Sequence, residues 1–360
     1  MIYVHVPFCR SFCTYCGFYS ETAPDCPASL TRFQAFADRV CREAALRREE
    51  IIRTLDVNTL YIGGGTPSVL PLSVLGRIVG ALPSSPYEEF TVEVNPEDVV
   101  EKGPAYLAGL KGLGVTRVSM GVQSLCDDIL RWMNRRHDAA RARKAFRMLR
   151  DAGFDKVSVD LIFGLPQLSD ALWEETLSEV TAWRPEHISA YQLSVEVGSA
   201  LDGSGFEEAS DELCRRQYDR LCERLGGVGY RHYEISNFAL PGCEARHNSA
   251  YWSRAPYVGI GPGAHSFSGA ASPGGTESRS WNTEEEEYRS ETEILSEEDR
   301  RTETLMLGLR TAEGVAAAAL ADCPEAGRLL SEGALRREGS RIRIPEDHFF
   351  VCDDIIRQVL

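Results

Sequence analysis

Three thiols stand close together near the start of the chain, in Cys9-Arg10-Ser11-Phe12-Cys13-Thr14-Tyr15-Cys16. Thiolates are soft ligands for zinc and iron, and a loop that carries three of them can wrap a metal centre. Two chemistries fit that number. A structural zinc ion prefers four closed donors, and His5 is the nearest candidate for the fourth. A 4Fe-4S cluster on three thiolates keeps one iron open, where the amine and carboxylate of an amino acid can chelate. The chain holds 11 cysteines in 360 residues, too sparse for a disulfide-stapled mini-domain. Those outside the cluster are expected as small buried hydrophobes.

Such a loop needs a scaffold. Short β-branched runs at Ile2 to Val6, Thr59 to Ile62, Phe90 to Val94, Thr116 to Ser119, Lys156 to Ile162 and His187 to Leu193 predict strands. Helical spacing separates them in Phe33, Phe36, Ala37, Val40 and Ala44, in Leu75, Ile78, Val79 and Leu82, and in Leu172, Trp173, Thr176, Leu177 and Val180. This βα alternation implies a parallel sheet with right-handed crossovers, either open and doubly wound or closed towards a barrel. In both cases ligands sit beyond the carboxyl ends of the strands. The first run leads into the cysteines, the second into Gly63-Gly64-Gly65-Thr66-Pro67, and the third holds Glu93 before Asn95-Pro96. The fourth leads to Gln123 and the fifth carries Asp160. Singly, each reads equally as a turn, a helix cap or a structural hydrogen-bond partner. At successive strand ends on the cysteine side, together they define one site.

Hydrophobic residues at 43% and charged residues at 26% describe a folded chain, and a net charge of -15 disfavours nucleic acid. No apolar run is long enough to span a bilayer, and the start has no basic segment followed by an apolar signal core, so a cytoplasmic protein is expected. A helix is expected from Asp211 to Leu225, broken by Gly226-Gly227, and residues 269–276 and the Val258 to His265 segment are expected as loops, with His265 structural. The acidic stretch from Thr283 to Glu303 reads as a solvated helix face with its linker. A compact module follows from Thr304. The expected division is residues 1–235, an associated segment 236–282, and a C-terminal domain 283–360.

Several motifs make a resemblance specific. Tyr3-Val4-His5-Val6-Pro7-Phe8-Cys9, Gly63-Gly64-Gly65-Thr66-Pro67, Glu93-Val94-Asn95-Pro96-Glu97, Ser119-Met120-Gly121-Val122-Gln123-Ser124 and Val159-Asp160-Leu161-Ile162-Phe163-Gly164-Leu165-Pro166 occur in that order. The chain resembles the oxygen-independent coproporphyrinogen oxidase branch of radical SAM proteins, strongly over residues 2–268 and more loosely beyond. The resemblance implies a partial six-stranded βα barrel with a small winged-helix-like C-terminal domain. It implies a 4Fe-4S cluster on Cys9, Cys13 and Cys16, with S-adenosylmethionine on its open iron. Around that ligand it places Tyr3, Gly64, Gly65, Thr66, Glu93, Gln123, Arg135 and Asp160. The residue types suit the task, since carboxylates accept from ribose hydroxyls or an amine and Arg135 can pair with a carboxylate. Tyr3 and Tyr15 can turn aromatic faces towards the cluster or adenine, or simply fill core.

Two departures separate the chain from true oxidases. Phe18 stands where they carry another cysteine, and the first strand begins at Ile2 without their N-terminal extension. In both respects the chain resembles the HemW-type haem chaperones. His247-Asn248-Ser249-Ala250-Tyr251-Trp252 matches the HNxxYW motif of that group, whereas Gly17 departs from the acidic residue common there. The motif implies haem: His247 offers an imidazole that can ligate iron, Tyr251 a phenol that can ligate or hydrogen-bond, and Trp252 an indole that can lie against the macrocycle, with Asn248 between them. Arg246 and Arg254 flank it as partners for propionates. The plainer alternative is that these side chains pack a loop against the barrel. The expected function is a haem-binding chaperone that delivers haem to acceptor apoproteins and meets a membrane only through an acceptor. The alternatives are an enzyme acting on a porphyrin or porphyrinogen and, more weakly, a zinc-bound scaffold. The C-terminal module is expected over the open side of the partial barrel.

Overall fold

The computed structural model describes residues 1–83, 86–269, 275–283 and 289–360. Six parallel strands form its centre: β1 (Ile2–Val6), β2 (Thr59–Gly64), β3 (Glu89–Val94), β4 (Arg117–Gln123), β5 (Val157–Phe163) and β6 (His187–Gln192). All the strands expected from the β-branched runs are present. Helices α1 (Pro27–Leu46), α2 (Leu72–Ala81), α3 (Pro96–Gly112), α4 (Ala139–Asp151) and α5 (Asp170–Trp183) cover the outside. The period-two alternation of each strand sorts its residues between two very different faces. Val4, Ile62, Val92, Met120, Val159 and Ile188 are buried outwards under the helices, where Phe8 meets Phe33 and Phe36 edge-on at 4.9 and 5.4 Å. The intervening positions carry polar groups, and the register sets Tyr61 beside Thr91, Glu93 beside Ser119, and Asp160 beside Ser189. The barrel interior is therefore a polar chamber rather than a packed core.

Helix α6 (Asp211–Gly227) runs through the glycine pair expected to break it, since glycine weakens a helix without forbidding it. Next come β7 (Arg231–Glu234), β8 (Asn237–Ala239), α7 (Arg246–Trp252) and β9 (Val258–Ile260). The full sheet order is β9-β1-β2-β3-β4-β5-β6-β8-β7. The Val258 to His265 segment, expected as a loop, instead supplies β9, a parallel edge strand beside β1. A buried ion pair fastens it. Arg47 Nη1 donates to Gly259 O at 2.7 Å, while Glu43 accepts from Gly261 N at 3.0 Å and from Asn282 Nδ2 at 2.8 Å. A Cβ on Gly259 would lie 2.0 Å from His265 O, so only glycine fits there.

Strands β10 (His265–Phe267), β11 (Ser278–Asn282) and β12 (Ser290–Ile294) form a small antiparallel sheet. The expected boundary at 282/283 thus falls between two hydrogen-bonded strands, and among the described residues of the acidic stretch the helix is α8 (Glu297–Gly308), preceded by β12. The expected loop 269–276 and the acidic run lie partly outside the described residues, at 270–274 and 284–288. The C-terminal module adds β13 (Val315–Ala316), α9 (Pro324–Glu332), β14 (Arg336–Glu338), β15 (Arg341–Arg343) and α10 (Cys352–Val359), around Leu305, Leu329, Ile342 and Ile356. Helices on a three-stranded sheet give it the winged-helix-like form. It docks on the edge strand β7, where Ala312 N donates to Tyr233 O at 3.0 Å. No described helix is long and apolar enough to cross a membrane. Among the cysteines outside the cluster only Cys214 and Cys352 are buried. The general expectation of burial fails because several of these small side chains sit on helix ends and loops, as Cys26 does at the start of α1.

Candidate cluster and cofactor chamber

The cysteine loop leaves β1 through Pro7 and is closed at its neck, where Ala23 N donates to Cys9 O at 2.7 Å. Its crown is tied to the segment after β4: Thr14 N donates to Met133 O at 3.2 Å and Asn134 Nδ2 to Phe12 O at 2.7 Å. Cys9 Sγ lies 3.4 Å from Thr66 Oγ1, and Arg135 Nη1 donates to Cys13 Sγ at 3.4 Å. Burial pushes the Cys9 thiol up to about 11 and raises that of Cys16 as well. A metal centre that takes these sulfurs must therefore displace their protons. Among the described residues no three Cys, His, Asp or Glu side chains converge on a point as a single-ion centre needs. A cluster, whose thiolates bind separate irons, asks for no such convergence.

Beneath the loop lies a chamber of about 610 Å³. It brings Tyr15, Gly64, Gly65, Thr66, Glu93, Gln123, Arg135 and Asp160 to its walls with all three cysteines. Tyr3 stands behind the wall: its hydroxyl pairs with His5 Nδ1 at 3.0 Å and its ring lies 6.1 Å from that of Tyr61. Gly64 has φ 108°, and a Cβ there would meet the His5 ring at 2.6 Å. Gly65 backs directly onto Phe8 O, 2.8 Å from where its Cβ would be. These approaches explain the missing side chains. Gln123 has φ 64° and follows a register shift in β4. The irregularity turns its side chain inwards, and Arg135 Nη2 braces it by donating to Gly121 O at 2.6 Å.

Two of the carboxylates on the chamber wall, Glu93 and Asp160, come from the central strands. Glu93 accepts from Tyr61 OH at 2.6 Å and from Gly64 N at 3.1 Å, and burial, with Asp160 nearby, pushes it up to about 7. Asp160 is held by Ser119 Oγ at 3.1 Å and is raised by burial. Sequence reasoning passed over Tyr61, Ser119 and Asn134. The first two were visible as polar members of otherwise apolar strands. The chamber thus offers thiols at one end, an arginine beside them, and two carboxylates placed for a cationic amine or vicinal hydroxyls.

The HNxxYW segment forms α7 at the opposite end, against the starts of β2 and β3. His247 is 1% exposed. Its Nδ1 pairs with Thr59 Oγ1 at 2.8 Å and its Nε2 with Tyr251 OH at 3.0 Å, and burial pulls its pKa down to about 3. Asn248 lines the chamber floor, whereas Trp252 faces a separate groove of about 1240 Å³ beside the C-terminal module. The flanking arginines already have partners, Arg246 in Glu88 and Arg254 in Glu277 and Glu303. The four residues expected to hold haem therefore do not face one space. No described residue after Asn248 lines the chamber.

A partial parallel barrel with three cysteines after its first strand defines the class, and the radical SAM superfamily matches residues 3–180. The chain is 31% identical to "Heme chaperone HemW" of Mycobacterium tuberculosis, over 100% of this chain and 94% of that one. It is 33% identical to the protein of that name from Bacillus subtilis, over 74% and 70% of the two chains. It belongs to the HemW family. It is also 31% identical to "Radical S-adenosyl methionine domain-containing protein 1, mitochondrial" of Danio rerio, over 87% and 73%. The solved coproporphyrinogen III oxidase HemN of Escherichia coli superposes with a TM-score of 0.78 over 99% of this chain and 89% of that one, at 19% identity, which establishes the shared fold.

Proposed function

We propose that this chain is a haem chaperone that carries a 4Fe-4S cluster on Cys9, Cys13 and Cys16, holds S-adenosylmethionine in the chamber, and passes haem to acceptor apoproteins. When bound, the cluster supplies an open iron to chelate S-adenosylmethionine and an electron that can reach it. Arg135 pairs with the carboxylate of that ligand, Glu93 with its amine, and Asp160 with its ribose hydroxyls.

The observation that carries the haem half is the rim of the chamber. Phe12 is 49%, Phe18 73% and Val197 89% exposed, and the exposed Tyr191 lines the same chamber as the two phenylalanines. A Cβ on Gly17 would lie 2.6 Å from Glu196 Cβ, so the loop bearing Phe18 touches the loop bearing Val197 beside the cysteines. Exposed aromatics gathered at a cavity mouth mark a surface that a flat apolar ligand covers. Trp252 and its groove give a second reading, favoured by the indole and the room beside it.

Haem titration of the reconstituted protein separates the two. Phe12→Ser with Phe18→Ser weakens haem binding by about tenfold or more if the rim holds it, since two buried rings are lost, while Trp252→Ala changes little. The reverse result moves haem to the groove. Absence of haem binding by the parent protein, or turnover of coproporphyrinogen III under anaerobic reduction, overturns the chaperone reading.

A further inference from the structure

We propose that His247 is a positioning residue for S-adenosylmethionine: by gripping the starts of β2 and β3 and backing the ring of Tyr61, it fixes the carboxylate of Glu93. This rests on S-adenosylmethionine occupying the chamber and is independent of where haem binds.

Three contacts carry the argument. Helix α7 begins with Arg246 N and His247 N donating to the two oxygens of Glu89, at 3.2 and 3.0 Å. Glu89 opens β3, and Glu93 lies four positions on, on the same face by the period of the strand. The imidazole reaches the neighbouring strand through Thr59 Oγ1 at 2.8 Å. Two residues on from Thr59, the Tyr61 ring lies 5.2 Å from the imidazole with a 33° tilt. The Tyr61 hydroxyl then donates to Glu93 Oε1 at 2.6 Å.

The path has little slack. A Cβ on Gly63 would fall 2.6 Å from Tyr61 Cε1 and 2.9 Å from Glu93 Oε1, so glycine is the residue that lets this ring and this carboxylate meet. Gly64 N holds the second oxygen at 3.1 Å. Glu93 thus presents one orientation to an incoming ammonium group, and its directional hydrogen bonds would blur if Tyr61 could tilt. Both imidazole nitrogens are occupied inside the protein. Ligation of iron would require breaking one of those pairs and exposing a ring that is now 1% accessible.

The test uses full-length protein with its cluster reconstituted anaerobically and reads S-adenosylmethionine affinity together with the change that the ligand causes in the spectrum of the reduced cluster. Tyr61→Phe and His247→Ala each weaken binding by about tenfold, the scale of one charged hydrogen bond. The double variant is scarcely worse than either, because both act through one contact. Iron content and the haem Soret band stay at parent values. Thr59→Val and Tyr61→Phe keep the test open should His247→Ala fold poorly, since each removes only a hydroxyl. Parent affinity in all these variants, or fully additive losses, overturns the proposal. A shifted Soret band in His247→Ala with unchanged S-adenosylmethionine affinity assigns the imidazole to haem instead. Failure of the parent protein to bind S-adenosylmethionine at all would refute the occupancy, a result distinct from failure of the positioning role.

Discussion

The two ends of the barrel carry the two groups of residues that promise chemistry, and they use them differently. At the mouth, the thiols, Arg135, Glu93 and Asp160 line open space beside exposed phenylalanines. At the floor, His247 and Tyr251 bond to each other, and the helix that bears them is docked on Glu89. Imidazole, phenol and thiol are all possible ligands in a list of residues. In the fold, the groups at the carboxyl ends of strands have room for a ligand, whereas those at the amino ends have already satisfied one another.

The largest effect should come from the mouth. Replacing any one of Cys9, Cys13 or Cys16 with Ala removes a third of the thiolate set, and iron and S-adenosylmethionine binding should both be lost. Retention of a full cluster by any of these variants would break the comparison. Arg135→Ala should follow, with a loss of about a hundredfold in S-adenosylmethionine affinity, since it removes a charged partner and the brace on Gly121. Isothermal titration would read it.

A pH titration sharpens the same contrast. Because burial lifts Glu93 to about 7, its contribution to the stability of the unliganded fold is full below its ordinary value and is lost as pH rises through about 7. An ammonium ligand favours the ionised form. Affinity for S-adenosylmethionine, measured relative to Glu93→Gln, should therefore climb by about tenfold between about pH 6 and about pH 8. A flat ratio would show that Glu93 does not face the amine. The smallest effect belongs to the floor end: Arg254→Ala breaks the pairs with Glu277 at 2.7 Å and Glu303 at 3.1 Å. It should cost about 2 kcal/mol of stability, seen as a lower melting temperature with unchanged S-adenosylmethionine affinity.

The central strands were legible because their outward residues, such as Val4, Val92 and Val159, are β-branched and buried. Strand β9 was not. It is three residues long with a glycine at its centre, and the reason for that glycine, the approach of His265 O, exists only in three dimensions. The chamber was half legible. Its glycines, carboxylates and Gln123 stood at predicted strand ends, and the resemblance added Tyr3 and Arg135, but the supports Tyr61 and Ser119 were passed over inside strands read for their apolar members. The HNxxYW segment shows the limit most clearly, since residue type discloses what His247 can bind and only burial discloses what it does bind.

The most direct measurement is an anaerobic count of iron and sulfide on the reconstituted chain, with the spectrum of the reduced cluster recorded before and after S-adenosylmethionine. About four irons and four sulfides per chain are expected, with a spectrum that changes on addition of the ligand and a change that disappears in Cys13→Ala. One tightly held zinc ion, or a cluster whose spectrum ignores S-adenosylmethionine, would contradict the account.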